Sequence, residues 1–172
     1  MKRIATNLLL SVGVSTTGFA LAQPQQSSQP HAHHHASAES LQSDISPEAI
    51  AAMDVVERFN DALGSGDLET VEALLAPDVL VLESGGAERS REEYLGHHAA
   101  SDAEFLQGVH RQVLRKRARA AGGLAWVGSE SELHTQREGK PLTVLSTETM
   151  VLRQMPEGWR IVHIHWSSQT KR

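Results

Sequence analysis

Between Ser46 and Asp67 the apolar residues Ala49, Ala52, Met53, Val56, Phe59 and Leu63 recur at three- and four-residue spacing. That stripe predicts an amphipathic helix, with Ser46 as its N-cap, Pro47 at its first helical position and Gly64 and Gly66 ending it. Asp67 is placed to cap a second helix, "LETVEALLA", which stops before Pro77. The pattern then changes period: "DVLVLES" alternates as a strand does, and "GGAE" turns it. Ser90 with Glu93 and Ser101 with Glu104 have the spacing of capping boxes, opening two short helices. From there four long β-rich runs follow, at about 110–120, 124–135, 141–153 and 159–168, separated by "AAGG", "REGKP" and "MPEGW". Helices first and an antiparallel meander after predict an α+β domain, in which a curved sheet wraps the helices.

The first 45 of the 172 residues follow neither pattern. Lys2 and Arg3, an apolar stretch, and Ala20-Leu21-Ala22 before Gln23 read as a secretory signal peptide over residues 1–22, too short for a stable span. Residues 23–45 are rich in Gln, Ser, Pro, Ala and His, a composition expected of a disordered tether. The folded domain is expected over residues 46–168, with a tail at 169–172. An exported protein of a bacterial periplasm, with no membrane span after cleavage, is the expectation.

Charge and cysteine content narrow the classes. Loss of residues 1–22 would leave 14 basic against 21 acidic side chains, near −7 with neutral histidines. Such a balance argues against a nucleic-acid partner, whose phosphates demand a basic face. The chain has no cysteine, so neither a disulfide framework nor thiolate chemistry is available.

Histidine supplies the candidate chemistry. Within the tether, His31, His33, His34 and His35 form a tract that reads either as a solvated spacer or as an exchangeable site for a divalent metal. In the domain, strict alternation places Trp159, Ile161, His163 and His165 on one strand face and Val162, Ile164 and Trp166 on the other. Glu83 ends a strand whose Val79 and Val81 look buried, and Glu148 lies in the middle of an apolar strand. Tyr94 and His98, four apart, share a helix face. Glu83, Tyr94, His98, Glu148, His163 and His165 are therefore the expected lining of a cavity. Three readings stand: a small-molecule pocket with acid/base His or Glu, a metal site using His98, His163 and His165, or a polar network that fixes a hairpin and a dimer interface. Arg111, Arg115, Arg117 and Arg119 share one face of a strand under the same alternation, either to meet an anionic ligand or to keep an edge solvated.

The stretches "GDLETVEALLAPDVLVLESGG" and "STETMVLRQMPEGWRIVHIHWSS" resemble the second-helix-and-strand signature and the last hairpin of the nuclear transport factor 2-like superfamily, which includes SnoaL-like proteins and ketosteroid isomerases. The last stretch is also similar to the end of the calcium/calmodulin-dependent kinase association domain. The resemblance covers residues 47–168. It implies an α+β cone with an internal pocket, a small-molecule ligand and a homodimer formed through the sheet. It brings no residue set matching the isomerases' carboxylate, tyrosine and protonated acid.

Overall fold

A computed structural model of the chain describes residues 42–172; the signal-peptide and most of the tether assignments, with His31, His33, His34 and His35, lie outside them. Strand β1 (Gln42–Ile45) leads through a 3-10 turn at Pro47–Ala49 into helix α1 (Ile50–Ser65). Helix α2 (Leu68–Leu74), strand β2 (Leu75–Glu83), the short β3 (Gly86–Glu88) and helices α3 (Arg91–His97) and α4 (Ala99–Leu106) follow. The chain closes with β4 (His110–Ala121), β5 (Leu124–Arg137), β6 (Lys140–Met155) and β7 (Gly158–Thr170). All seven strands form one sheet in the order β1-β4-β5-β6-β7-β2-β3.

The helices form where their polar punctuation predicts. The Asp67 carboxylate accepts from the Thr70 backbone N–H at 3.0 Å and so satisfies one of the orphan donors of α2. Ser90 does the same for Glu93 at α3. Two expected caps differ. Ser46 precedes the 3-10 turn but makes no side-chain cap bond, and Ser101 lies inside α4, its hydroxyl donating to the His98 carbonyl. Helix α2 also ends earlier than Pro77, because Leu75 already pairs with Ile161 of β7. Pro77 is tolerated in β2 since the register shifts between Leu75 and Leu80, where no ladder donor is demanded of it. Gln42–Ile45, inside the compositional tether, pairs in parallel with Arg115–Ala118 as an edge strand.

The meander is held by two-residue turns. Gly122–Gly123 and Glu138–Gly139 take positive φ at both positions, the turn geometry whose twist matches antiparallel strands. The sheet is mixed rather than wholly antiparallel, with β1 parallel to β4 and β2 parallel to β7. Its concave face closes over α1, whose stripe Ala52, Val56, Phe59 and Leu63 is buried against it with Val127, Met150, Leu152, Ile161 and Ile164. This is the expected α+β arrangement of a curved open sheet over helices.

Two bulges decide what the concave face contains. In β4 the register slips between Val113 and Arg115, and in β7 one residue, Val162, is unpaired between Ile161 and His163. Each extra residue reverses the in-and-out alternation beyond it. Among the described residues no helix is long and apolar enough to cross a membrane.

Candidate functional site

Beyond the apolar rows of the concave face, the sheet turns polar. Ser129, Glu148, Trp166 and Glu83 are cross-strand neighbours on β5, β6, β7 and β2, and the next row is Ser131, Ser146 and Ser168. Helix α1 ends above these rows, and the α4–β4 connection borders them. Between sheet and helices lies a cavity of about 550 Å³, a size that suits a small organic molecule. Leu63, Phe105, Leu106, Val109, Leu133 and Val144 supply apolar wall; Asp61, Glu83, Asp102, Arg111 and Glu148 supply charge.

Glu148 is 8% exposed and its carboxylate accepts three hydrogen bonds. Oε1 accepts from Asn60 Nδ2 of α1 and from Ser129 Oγ, each at 3.3 Å, and Oε2 accepts from Trp166 Nε1 at 2.9 Å. Arg111 Nη2 stands 3.6 Å from Oε1 as an ion pair. This set compensates the burial of a charge in mid-sheet, where an unpaired carboxylate would be costly.

A second cluster lies toward the helices. Tyr94, fully buried, donates its hydroxyl to Asp102 Oδ2 at 3.0 Å, and Asp102 lines the cavity. Burial pushes the Asp102 carboxyl above the ordinary carboxylate range, against the opposing effect of the Tyr94 bond. Burial also raises Glu83, and the charge of Asp102 adds to it. The Tyr94 phenol is pushed up by burial and then by Asp102, so it stays a donor. His98 pairs through Nδ1 with Glu88 Oε1, which raises the histidine, while Glu88 Oε2 is buried without a partner among the described residues. Two acids that hold their protons more firmly than usual on one cavity wall are suited to donating and accepting protons.

The six predicted lining residues separate. Glu83 and Glu148 line the cavity, and Tyr94 stands behind it, holding Asp102. His98 is at the α3–α4 junction with its ring half exposed, paired to Glu88. His163 and His165 do not join them. The Val162 bulge keeps Ile161, Ile164 and Trp166 on the concave side and turns both rings to the convex face, where His163 Nδ1 donates to the Leu80 carbonyl at 2.9 Å. The trio His98, His163 and His165 is therefore split between two faces of the sheet. Among the described residues no group of three or more His, Cys, Asp or Glu is arranged to hold a metal ion.

The arginine face separates in the same way. Arg115, Arg117 and Arg119 stay outside, the first paired with Glu130 and the others with Asp44 of β1. Arg111, before the bulge, points into the cavity and hydrogen-bonds Ser131 and Ser129. Sequence reading missed Asn60, Asp102 and Trp166, and it offered Arg111 only as one of four arginines of a face open to an anionic ligand or to solvent. Of the missed three, only Asp102 left a signal, continuing the four-residue spacing from Tyr94 through His98.

With this geometry in place, comparison with known proteins identifies the class. Residues 52–171 match the SnoaL-like domain family; the chain belongs to that family, within the nuclear transport factor 2-like superfamily. A solved structure from Shewanella frigidimarina, given the provisional name ketosteroid isomerase, is 33% identical, with a TM-score of 0.67 over 72% of this chain and 99% of that one. The CaMKII hub of S. rosetta shares the fold at 19% identity and TM-score 0.62, over 69% of this chain and 95% of that one. So does a provisionally assigned dehydratase of the NTF2-like family from Streptomyces avermitilis, at 18% identity and TM-score 0.58, over 72% of this chain and 99% of that one. No curated protein sequence is similar to the chain at a significant level.

Proposed function

We propose that this chain is a small-molecule-binding protein whose cavity supports acid–base chemistry on its ligand, with Asp102 and Glu83 as the proton-carrying groups. The observation that carries the reading is the pair of cavity carboxyls with raised pKa, one of them positioned by a buried tyrosine. Glu148, bound by three donors and held near Arg111, organises the site. The isomerase and dehydratase names of two structural relatives describe reactions that move a proton, which suits this reading. A signal-directed export to the periplasm remains part of the proposal and is checked by fractionating cells that express the full chain.

The test is a binding screen of the purified protein against small carbonyl and hydroxyl compounds, followed by incubation of each bound compound in D₂O. Binding at one site, lost in Val144→Trp, with deuterium entering beside the carbonyl and slowed in Asp102→Asn and Glu83→Gln, is the expected result. Binding indifferent to Val144→Trp would overturn the pocket. Bound compounds that exchange no proton would leave a binder without catalysis.

A second reading has its own observation. The convex face exposes Leu80, Leu124 at 52% and Trp126 at 41%, beside His163 and His165, an apolar patch of the kind that marks association surfaces. Self-association through this face is the corresponding proposal. Sedimentation of the wild type and of Trp126→Glu decides it: a dimer that the substitution converts to monomer is expected, and a monomeric wild type refutes it.

A further inference from the structure

The Arg111 side chain is the part of the cavity that the acid–base reading does not use. The bulge after Val113 separates it from Arg115, Arg117 and Arg119 and turns it inward, where it spends Nε on Ser131 Oγ at 3.3 Å and Nη2 on Ser129 Oγ at 3.2 Å. Its Nη1 has no hydrogen-bond partner among the described residues. Glu148 does not claim that edge. Both carboxylate oxygens already accept hydrogen bonds from Asn60, Ser129 and Trp166, and the guanidinium stands 3.6 Å away, outside hydrogen-bond distance. Ser146 and Ser168, cross-strand partners in the row beside Ser131, also line the cavity, and their hydroxyls make no hydrogen bond to any described residue. The Nη1 end of the Arg111 guanidinium and two hydroxyls thus border one cavity without hydrogen-bond acceptors among the described residues.

We infer that Arg111, Ser146 and Ser168 form the anchor for a carboxylate, and that the cavity's ligand is a small organic monocarboxylate with an apolar body. This rests on the small-molecule reading of the cavity and names its ligand class. The planar guanidinium holds Nη1 in a fixed direction as the donor left for one carboxylate oxygen, with the Ser146 and Ser168 hydroxyls placed for the other. Leu133 and Val144, in the row beyond Ser131 and Ser146, with Phe105 and Leu106 of α4, take the apolar body.

The experiment is calorimetric titration of the full chain with straight-chain monocarboxylates from butanoate to decanoate, and with the matching primary alcohols and amines. Carboxylates are expected to bind best, more weakly at high salt. Arg111→Lys, which keeps a charge beside Glu148, should weaken them about tenfold by losing the planar edge. The double variant Ser146→Ala/Ser168→Ala leaves the Arg111–Glu148 pair intact and should also lose affinity, which guards against misfolding as the cause. Alcohols or amines that bind as tightly as carboxylates, while Val144→Trp blocks them, would overturn the carboxylate anchor and leave the pocket standing. Carboxylate binding unchanged in both variants would overturn it too, and so would failure of the whole carboxylate series to bind while other compounds from the wider screen occupy the cavity.

Discussion

At the scale of single residues, Glu148 and Tyr94 show how burial sets the role of a side chain. Glu148→Ala leaves Trp166 Nε1, Asn60 Nδ2 and Ser129 Oγ without their acceptor and Arg111 without its counter-charge. A loss of about 2–4 kcal/mol in urea unfolding is expected, in the range for breaking a buried charged network. Tyr94→Phe removes only the hydroxyl that donates to Asp102. Because that bond holds the Asp102 carboxyl down against burial, the substitution should raise the Asp102 pKa further, while unfolding free energy falls by about 1 kcal/mol. NMR titration of the Asp102 carboxyl checks the direction; a downward shift would contradict the assigned donor.

At the scale of elements, the last strand separates what alternation says from what a bulge does. Ile164 is fully buried and His165 exposed, although they are adjacent in a strand in which strict alternation from Ile161 would put the histidine inside. Ile164→Ala should cost about 2–5 kcal/mol in chemical denaturation, as for other large-to-small core changes. His165→Ala should stay within about 0.5 kcal/mol. A large cost for His165→Ala in a demonstrated monomer would show that the convex assignment is wrong. Two of the five strands that line the site, β4 and β7, carry such a bulge next to it, and each exchanges the residue that meets the cavity: Arg111 enters, and His163 and His165 leave.

For the whole molecule, the groups whose pKa is raised couple stability to pH in one direction, opposite to Asp44 and Asp67, which are held low by Arg119 and Arg117 and by Thr70 and lose their stabilisation as pH falls. Asp102 and Glu83 are raised in the folded state, so folding favours their protonated forms, and stability falls as pH climbs from the ordinary carboxylate range through the raised values. His98 is raised by Glu88, so its stabilisation is complete below the ordinary histidine range and is lost as pH rises through its folded value. Urea unfolding across pH should therefore show two declines. Asp102→Asn should shrink the acid-side one, and His98→Gln should remove the one at higher pH. A single decline unaffected by His98→Gln would break the assignment of the Glu88–His98 pair.

The sequence by itself determined the order of the helices and the long strands, the caps at Asp67 and Ser90, the turns of the meander and the buried stripe of α1, because these rest on spacing within a few residues; the short strands β1 and β3 it did not. It also marked Glu83 and Glu148, since a carboxylate in an apolar strand must find partners somewhere. What only the tertiary structure decided is which side chains meet. An unpaired Val162 and the slip beside Leu114 leave no clear mark in composition, yet each reverses the facing of everything beyond it, and the partnership of Asn60 with Glu148 spans 88 positions. Local spacing constrains local geometry; the membership of the cavity depends on where strands slip against their neighbours, which is set by packing across the whole sheet.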